Sequence, residues 1–149
     1  MSSSINKTMT ISETSPATAS TVAGSVVPTL DRYAYLMIDA ELVGATGGTL
    51  DIYLQRRVTK SDGTDVWYDW LHFPQLSAGA SAVKYTVTPT ATAGIVTVGK
   101  DTSPALAANT CIGGHPGEAL RALYVAGSGT SAGAAVVINI TGVGDVTRC

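Results

Sequence analysis

Charge is what this chain has least of. Charged residues make up 13% of its 149 residues, about half the usual share of a soluble domain, and the formal net charge is −2. With no clustered Lys or Arg, nothing is built to grip nucleic acid. The scarcity is uneven: no charged side chain stands between Arg121 and Asp145, and Met1 to Leu30 carry only Lys7 and Glu13. Exposed surface normally keeps interspersed charge, so tracts this bare point to surface covered by partner subunits, against the alternative of a face kept wet by Ser, Thr, Asn and Gly. Cysteine is scarce too. Cys111 and Cys149 are too few and too far apart for a metal site or a disulfide framework, and free thiols are expected. No apolar run approaches the ~20 residues that span a bilayer, and "MSSSINKTMTISETS" has neither the basic start nor the apolar core of a signal peptide. Synthesis in the cytoplasm, with no membrane partner and no cofactor, is the expectation.

What is present is strand pattern. Residues 1–30 hold thirteen Ser or Thr and read as an extended N-terminal arm with one further strand near "STVAGSVV". Period-two alternation begins after Pro28 and defines the remainder, 31–149, as a single β domain. In "YAYLMIDAELV", Ala34, Leu36, Ile38, Ala40 and Leu42 share one face, and Tyr33, Tyr35, Met37, Asp39 and Glu41 the other. "TLDIYLQRRV", "VWYDWLHF", "VKYTVTP", "GIVTVGK", "ALRALYVAG" and "AAVVINITG" continue the series, with Ala134, Val136, Ile138 and Ile140 inward in the last and Val137 and Asn139 outward. Some seven to eight short strands, Gly-rich or Asp-Gly turns and no amphipathic helix predict an all-β antiparallel sandwich or jelly roll.

Few residues offer chemistry. "GSGTSAG" has no Lys and no following helix to hold a phosphate, so it reads as a hairpin connection. "CIGGHPGE" brings Cys111, His115 and Glu118 close in sequence, but its glycines and Pro116 fit a loop with positive φ angles better than a nucleophile or metal site. Asp62, Gly63, Thr64 and Asp65 form a turn and lack the ordered ligand series of a calcium loop. Asn139-Ile140-Thr141 matches a glycosylation acceptor but sits in a strand.

"DGTDVWYDWLHFPQL" concentrates the aromatics. Asp65 and Asp69 on one strand lie roughly 13 Å apart by strand rise, too far for a hydrolytic carboxylate pair across a sugar. Tyr53, Trp67, Tyr68 and Trp70 could form a sugar-binding platform. The other reading packs Trp67, Leu71 and Phe73 inward and leaves Tyr68, Trp70 and His72 on an outer or intersubunit surface. An enzyme ranks last, because two His and a few scattered carboxylates assemble no nucleophile, base and orienting group.

"TLDIYLQRRV…SDGTDVWYDWLHFPQL", followed by "LRALYVAGSGTSAGAAVVINITG", resembles a group of small virion structural proteins of tailed bacteriophages. The likeness covers about residues 49–76 and 118–142. It implies a β-sandwich that decorates the capsid or sits near the head-tail junction. Leu50, Ile52, Leu54 and Gln55 then match the core strand, Asp62 and Gly63 the turn, Trp67, Tyr68, Asp69 and Phe73 the next strand, and Leu120 and Arg121 the start of the penultimate one. The chain departs from the pattern in "VTKS" before Asp62 and in its Ser/Thr-rich arm. The function this implies is capsid decoration, or cement. The partners would be the major capsid protein and further copies of the chain as a homotrimer, on the outer surface of the head. A neck or tail protein and a carbohydrate-binding module are the alternatives. Tyr33, Tyr35, Trp70, His72, Val137 and Asn139 are the expected contact residues.

Overall fold

A computed structural model describes residues 6–16, 18–44, 47–79, 81–89, 95–130 and 133–144. The strands are β1 (Lys7–Thr14), β2 (Ser20–Val27), β3 (Tyr35–Leu42), β4 (Leu50–Thr59), β5 (Asp65–His72), β6 (Val83–Val87), β7 (Thr110–Cys111), β8 (Leu120–Ala126) and β9 (Ala135–Val143), with one 3-10 turn at Leu30–Arg32. They form an antiparallel sandwich of two sheets, ordered β1-β9-β3-β6 and β2-β8-β4-β5-β7. The pairings β1·β9, β2·β8, β3·β6 and β4·β5 are nested, as in one long hairpin folded over on itself. Successive nested pairs alternate between the sheets, which is jelly-roll topology with the two-residue β7 added at an edge.

The core follows the alternation. Leu36, Ile38, Ala40 and Leu42 from β3 and Val136, Ile138 and Ile140 from β9 meet Leu50, Ile52 and Leu54 from β4 and Leu120, Ala122 and Tyr124 from β8. These side chains are nearly all inaccessible to water, and apolar burial of this kind is the main stabilising term. A second, smaller cluster of Tyr53, Leu106 and Leu123 lies apart from it.

Three expectations change. The segment read as an arm contains two strands hydrogen-bonded into the sandwich: β1 pairs with β9 over its whole length, and β2 pairs with β8. In β1 Thr8, Thr10 and Ser12 take the outward positions while Ile11 enters the core; in β2 Val27 enters the core but Val22 and Val26 are exposed, so composition hid the alternation of both strands. "GIVTVGK" makes no strand from Ile95 to Gly99; Gly94 lies outside the described residues. Lys100 alone bridges to Tyr68, because the chain turns away at once through Ser103.

The third change is the phase of β5. Leu54 pairs with Leu71 but Gln55 pairs with Asp69, leaving Trp70 as the extra residue of a β-bulge. One extra residue exchanges the faces. Trp70 joins Leu71 and Phe73 in the core at 1% exposure, whereas Trp67, expected inside, is half-buried on the outer face under the Arg121 guanidinium.

Candidate functional site

The outer face of the five-stranded sheet is covered by the connection between β6 and β8, and a polar lock fastens it. Asp69 is fully buried. Its Oδ2 accepts the backbone N–H groups of Gly99 (2.8 Å), Ala105 (2.8 Å) and Leu106 (3.0 Å), and its Oδ1 accepts Gln55 Nε2 (2.9 Å). Gln55 also donates to the Asp101 carbonyl (2.8 Å) and accepts from Arg121 Nε (3.0 Å). Arg121 lies 4.7 Å from the centroid of the Trp67 ring, a cation–π contact. Burial lowers its pKa, offset in part by the Asp101 charge.

His72 holds the far end. Nδ1 faces the Leu106 carbonyl at 2.8 Å and Nε2 faces Asp51 Oδ1 at 3.0 Å, and the ring stacks on Tyr53 at 3.8 Å. Both nitrogens thus face oxygen atoms of the protein. Burial pushes the Tyr53 hydroxyl up to about 12, helped by the Asp51 and Asp69 charges. At Asp51 burial works upward, but hydrogen bonds from His72 and Gln75 and the His72 charge outweigh it and hold the carboxyl below its ordinary 3.8. A folded-state pKa lower than the unfolded one stabilises above that ordinary value, and the contribution is lost as pH falls through the lowered one. Urea midpoints measured from about pH 5 down to pH 2 should therefore decline more in the wild type than in Asp51→Asn.

This lock resembles an active site in composition only. Both oxygens of Asp69 and both ring nitrogens of His72 are engaged by the protein itself. Cys111, His115 and Glu118 do not converge either. Burial raises the Cys111 thiol pKa, His115 bonds the Leu30 carbonyl and the Gly117 N–H, and Glu118 pairs with Arg57 at 2.7 Å. Among the described residues no group of three His, Cys, Asp or Glu is placed to hold a metal ion. The proposed sugar platform is dismantled as well, since Tyr53 and Trp70 are buried and Trp67 lies under Arg121.

The outer face of the four-stranded sheet is the contrasting surface. Its cross-strand rows are Thr8, Thr141 and Met37; Thr10, Asn139, Asp39 and Thr86; and Ser12, Val137, Glu41 and Lys84. Hydroxyl and amide groups link neighbours within the rows: Thr8 with Thr141 (3.0 Å), Thr10 to Asn139 (2.7 Å) and Thr86 to Asp39 (2.8 Å). Tyr35 stands at the end of β3, 52% exposed. Three charges, Asp39, Glu41 and Lys84, sit on β3 and β6, and the central β9 has none.

Of the expected contact residues, Tyr35, Val137 and Asn139 lie on this face. Trp70, His72 and Tyr33 are corrections. Trp70 is in the core and its indole N–H donates to the Gly113 carbonyl (3.3 Å), while His72, 5% exposed, is in the lock. Tyr33 packs flat over Gly142 of β9, where any side chain would collide with its ring. Tyr68 is half-buried opposite Arg56. Asp62 caps its turn, accepting the Thr64 N–H and hydroxyl, and Gly63 has φ +85°.

The edge where β1 meets β2 was missed. Glu13 of β1 reaches across to β2 and accepts the Ser25 N–H and hydroxyl and the Tyr124 hydroxyl. Burial, then the Glu13 hydrogen bond, raises the Tyr124 pKa. Gly24 leaves room for this carboxylate, since a methyl group there would overlap Glu13 and the Tyr124 ring. Gly24→Ala is expected to cost about 1 to 3 kcal/mol by crowding and loss of those bonds, read as a lowered urea midpoint with unchanged slope.

No family model matches the chain, and no curated protein matches it. Among solved structures it is similar to the Bacillus endospore appendages, a family of disulfide-linked pili, at 12% identity and TM-score 0.46, covering 96% of this chain and 90% of that one. It is similar to a chain of the infectious bursal disease virus Gx strain at 14% identity and TM-score 0.42, covering 93% of this chain and a third (33%) of that one. A third is Desmodium yellow mottle tymovirus, at 10% identity and TM-score 0.37, covering 100% and 91%. With scores below 0.5, these likenesses carry no argument about role.

Proposed function

We propose that this chain is a structural protein of a tailed-phage virion that binds the outside of the assembled head and stabilises it. The observation that carries the reading is the outer face of the four-stranded sheet, rich in hydroxyl groups, whose charges, Asp39, Glu41 and Lys84, are confined to β3 and β6 while its β9 positions carry none. The opposite face is closed by the Asp69 lock, so contact with the major capsid protein falls to β1, β9, β3 and β6. The motif residues Leu50, Ile52, Leu54, Gln55, Trp67, Asp69, Phe73, Leu120 and Arg121 support the same reading as builders of the core and the lock, not as a reactive site.

A ligand that binds the assembled lattice and not free capsid subunits stabilises the lattice by mass action. A closed trimer is the form that suits local three-fold symmetry on a head. Heads stripped of the chain should bind it back to saturation in co-sedimentation, and should then release DNA at a higher temperature. Val137→Glu with Asn139→Arg should abolish that binding while leaving circular dichroism unchanged. Normal binding by this variant would remove the sheet face from the contact.

A further inference from the structure

Four strands end the two sheets among the described residues, and three of them are poor templates for another strand. β6 has five residues, β7 has two, and β2 is interrupted by a register shift between Ala23 and Val26. β1 is different. It runs eight residues in unbroken register with β9, with no proline and no bulge. Natural edge strands are normally protected by such devices or by charge along the edge.

The backbone of β1 offers real partners on its open side. Ser15 donates its N–H to the Ala134 carbonyl at 2.9 Å, continuing the ladder. In an antiparallel pair the bonding direction alternates, so the odd-numbered residues of β1 face β9 and Thr8, Thr10, Ser12 and Thr14 point N–H and C=O outward.

The side chains specify an occupant. Charge along β1 is confined to Lys7 at one end and Glu13 at the other, and Lys7 has no ion pair among the described residues. Beside Glu13 a pocket of about 220 Å³ opens, lined also by Pro16, Val22, Ala23 and Tyr124. Val22 is 44% exposed. Apolar walls around a carboxylate suit a lysine, whose stem packs while its ammonium pairs. Glu13 accepts from three neutral donor groups of Ser25 and Tyr124, so its charge has no cationic partner among the described residues.

We infer that the edge of β1 pairs with β1 of a second copy, antiparallel and two-fold symmetric about Thr10, with Lys7 of each copy entering the Glu13 pocket of the other. In that register Thr10 opposes Thr10 and Thr8 opposes Ser12 on the outer face, while Met9 opposes Ile11 and Lys7 opposes Glu13 on the core side. Symmetry gives each unlike pair twice. Centring on Ile11 instead would set Lys7 against Ser15 and lose both ion pairs, so charge selects Thr10. The contact is two-fold and stands apart from any three-fold one on a head; it would hold for the isolated protein whatever its place in a virion.

The test uses the full chain with Cys111 and Cys149 replaced by Ser. Under mild oxidation Thr10→Cys should give a disulfide-linked dimer on a non-reducing gel. Thr8→Cys alone should not, but should cross-link when mixed with Ser12→Cys. Thr10→Pro, which deletes no ladder bond to β9, and Lys7→Glu should each weaken dimerisation in sedimentation equilibrium by about ten-fold or more. A monomer at all concentrations, open polymers, or equal trapping at every position would overturn the pairing.

Discussion

Trp70→Ala is expected to destabilise the protein by about 3 to 5 kcal/mol, read from urea unfolding followed by circular dichroism. The indole is 1% exposed and packs in the main core, and its N–H is bonded to the Gly113 carbonyl. Truncation therefore removes a large apolar contact, opens a cavity and leaves the Gly113 carbonyl without its donor. Trp67→Ala is the internal control. Its ring is half-buried beneath Arg121, and its loss should cost about 1 kcal/mol. Equal losses at the two positions would contradict the bulge assignment.

Asp69→Ala is expected to cost at least about 3 kcal/mol and to release the covering connection. Four donors converge on this carboxylate, three of them backbone N–H groups, of which those of buried Gly99 and Leu106 lose their partner away from water if it is removed. Asp69→Asn should fall between wild type and Ala. Its oxygen can keep the Gly99, Ala105 and Leu106 bonds, but its NH₂ then confronts Gln55 Nε2, which is held by the Asp101 carbonyl and cannot turn. Hydrogen exchange at Gly99, Ala105 and Leu106 distinguishes local release from global unfolding. Those three amides should exchange faster in Asp69→Ala while the amides of β3 and β9 stay protected.

The sandwich was legible because its central strands alternate cleanly. Leu36 to Leu42 and Ala134 to Ile140 declare their buried faces residue by residue, and the turn at Asp62 and Gly63 is marked by composition. The bulge was not legible, since nothing in "VWYDWLHF" reports that Gln55 will pair two residues before Leu71's position. Everything downstream of that phase was misassigned, including the exchange of Trp67 with Trp70 and the burial of His72. β1 and β2 were obscured for another reason. β1 turns Thr8, Thr10 and Ser12 outward, β2 leaves Val22 and Val26 exposed, and Ile11 and Val27 are the buried apolar residues of the two strands, so a structured edge has the composition of a tail. The Asp69 lock joins residues as far as 66 positions apart in sequence, through pairs such as Asp69 with Gly99 and Gln55 with Arg121, and no local pattern reveals convergence of that kind.

The copy number of this chain relative to the major capsid protein in purified virions tests the central claim most directly. Quantitative mass spectrometry should find the two in the same order of abundance. A ratio of a few per cent would place the chain at the neck or tail instead, and its absence from the particle would contradict a virion role altogether.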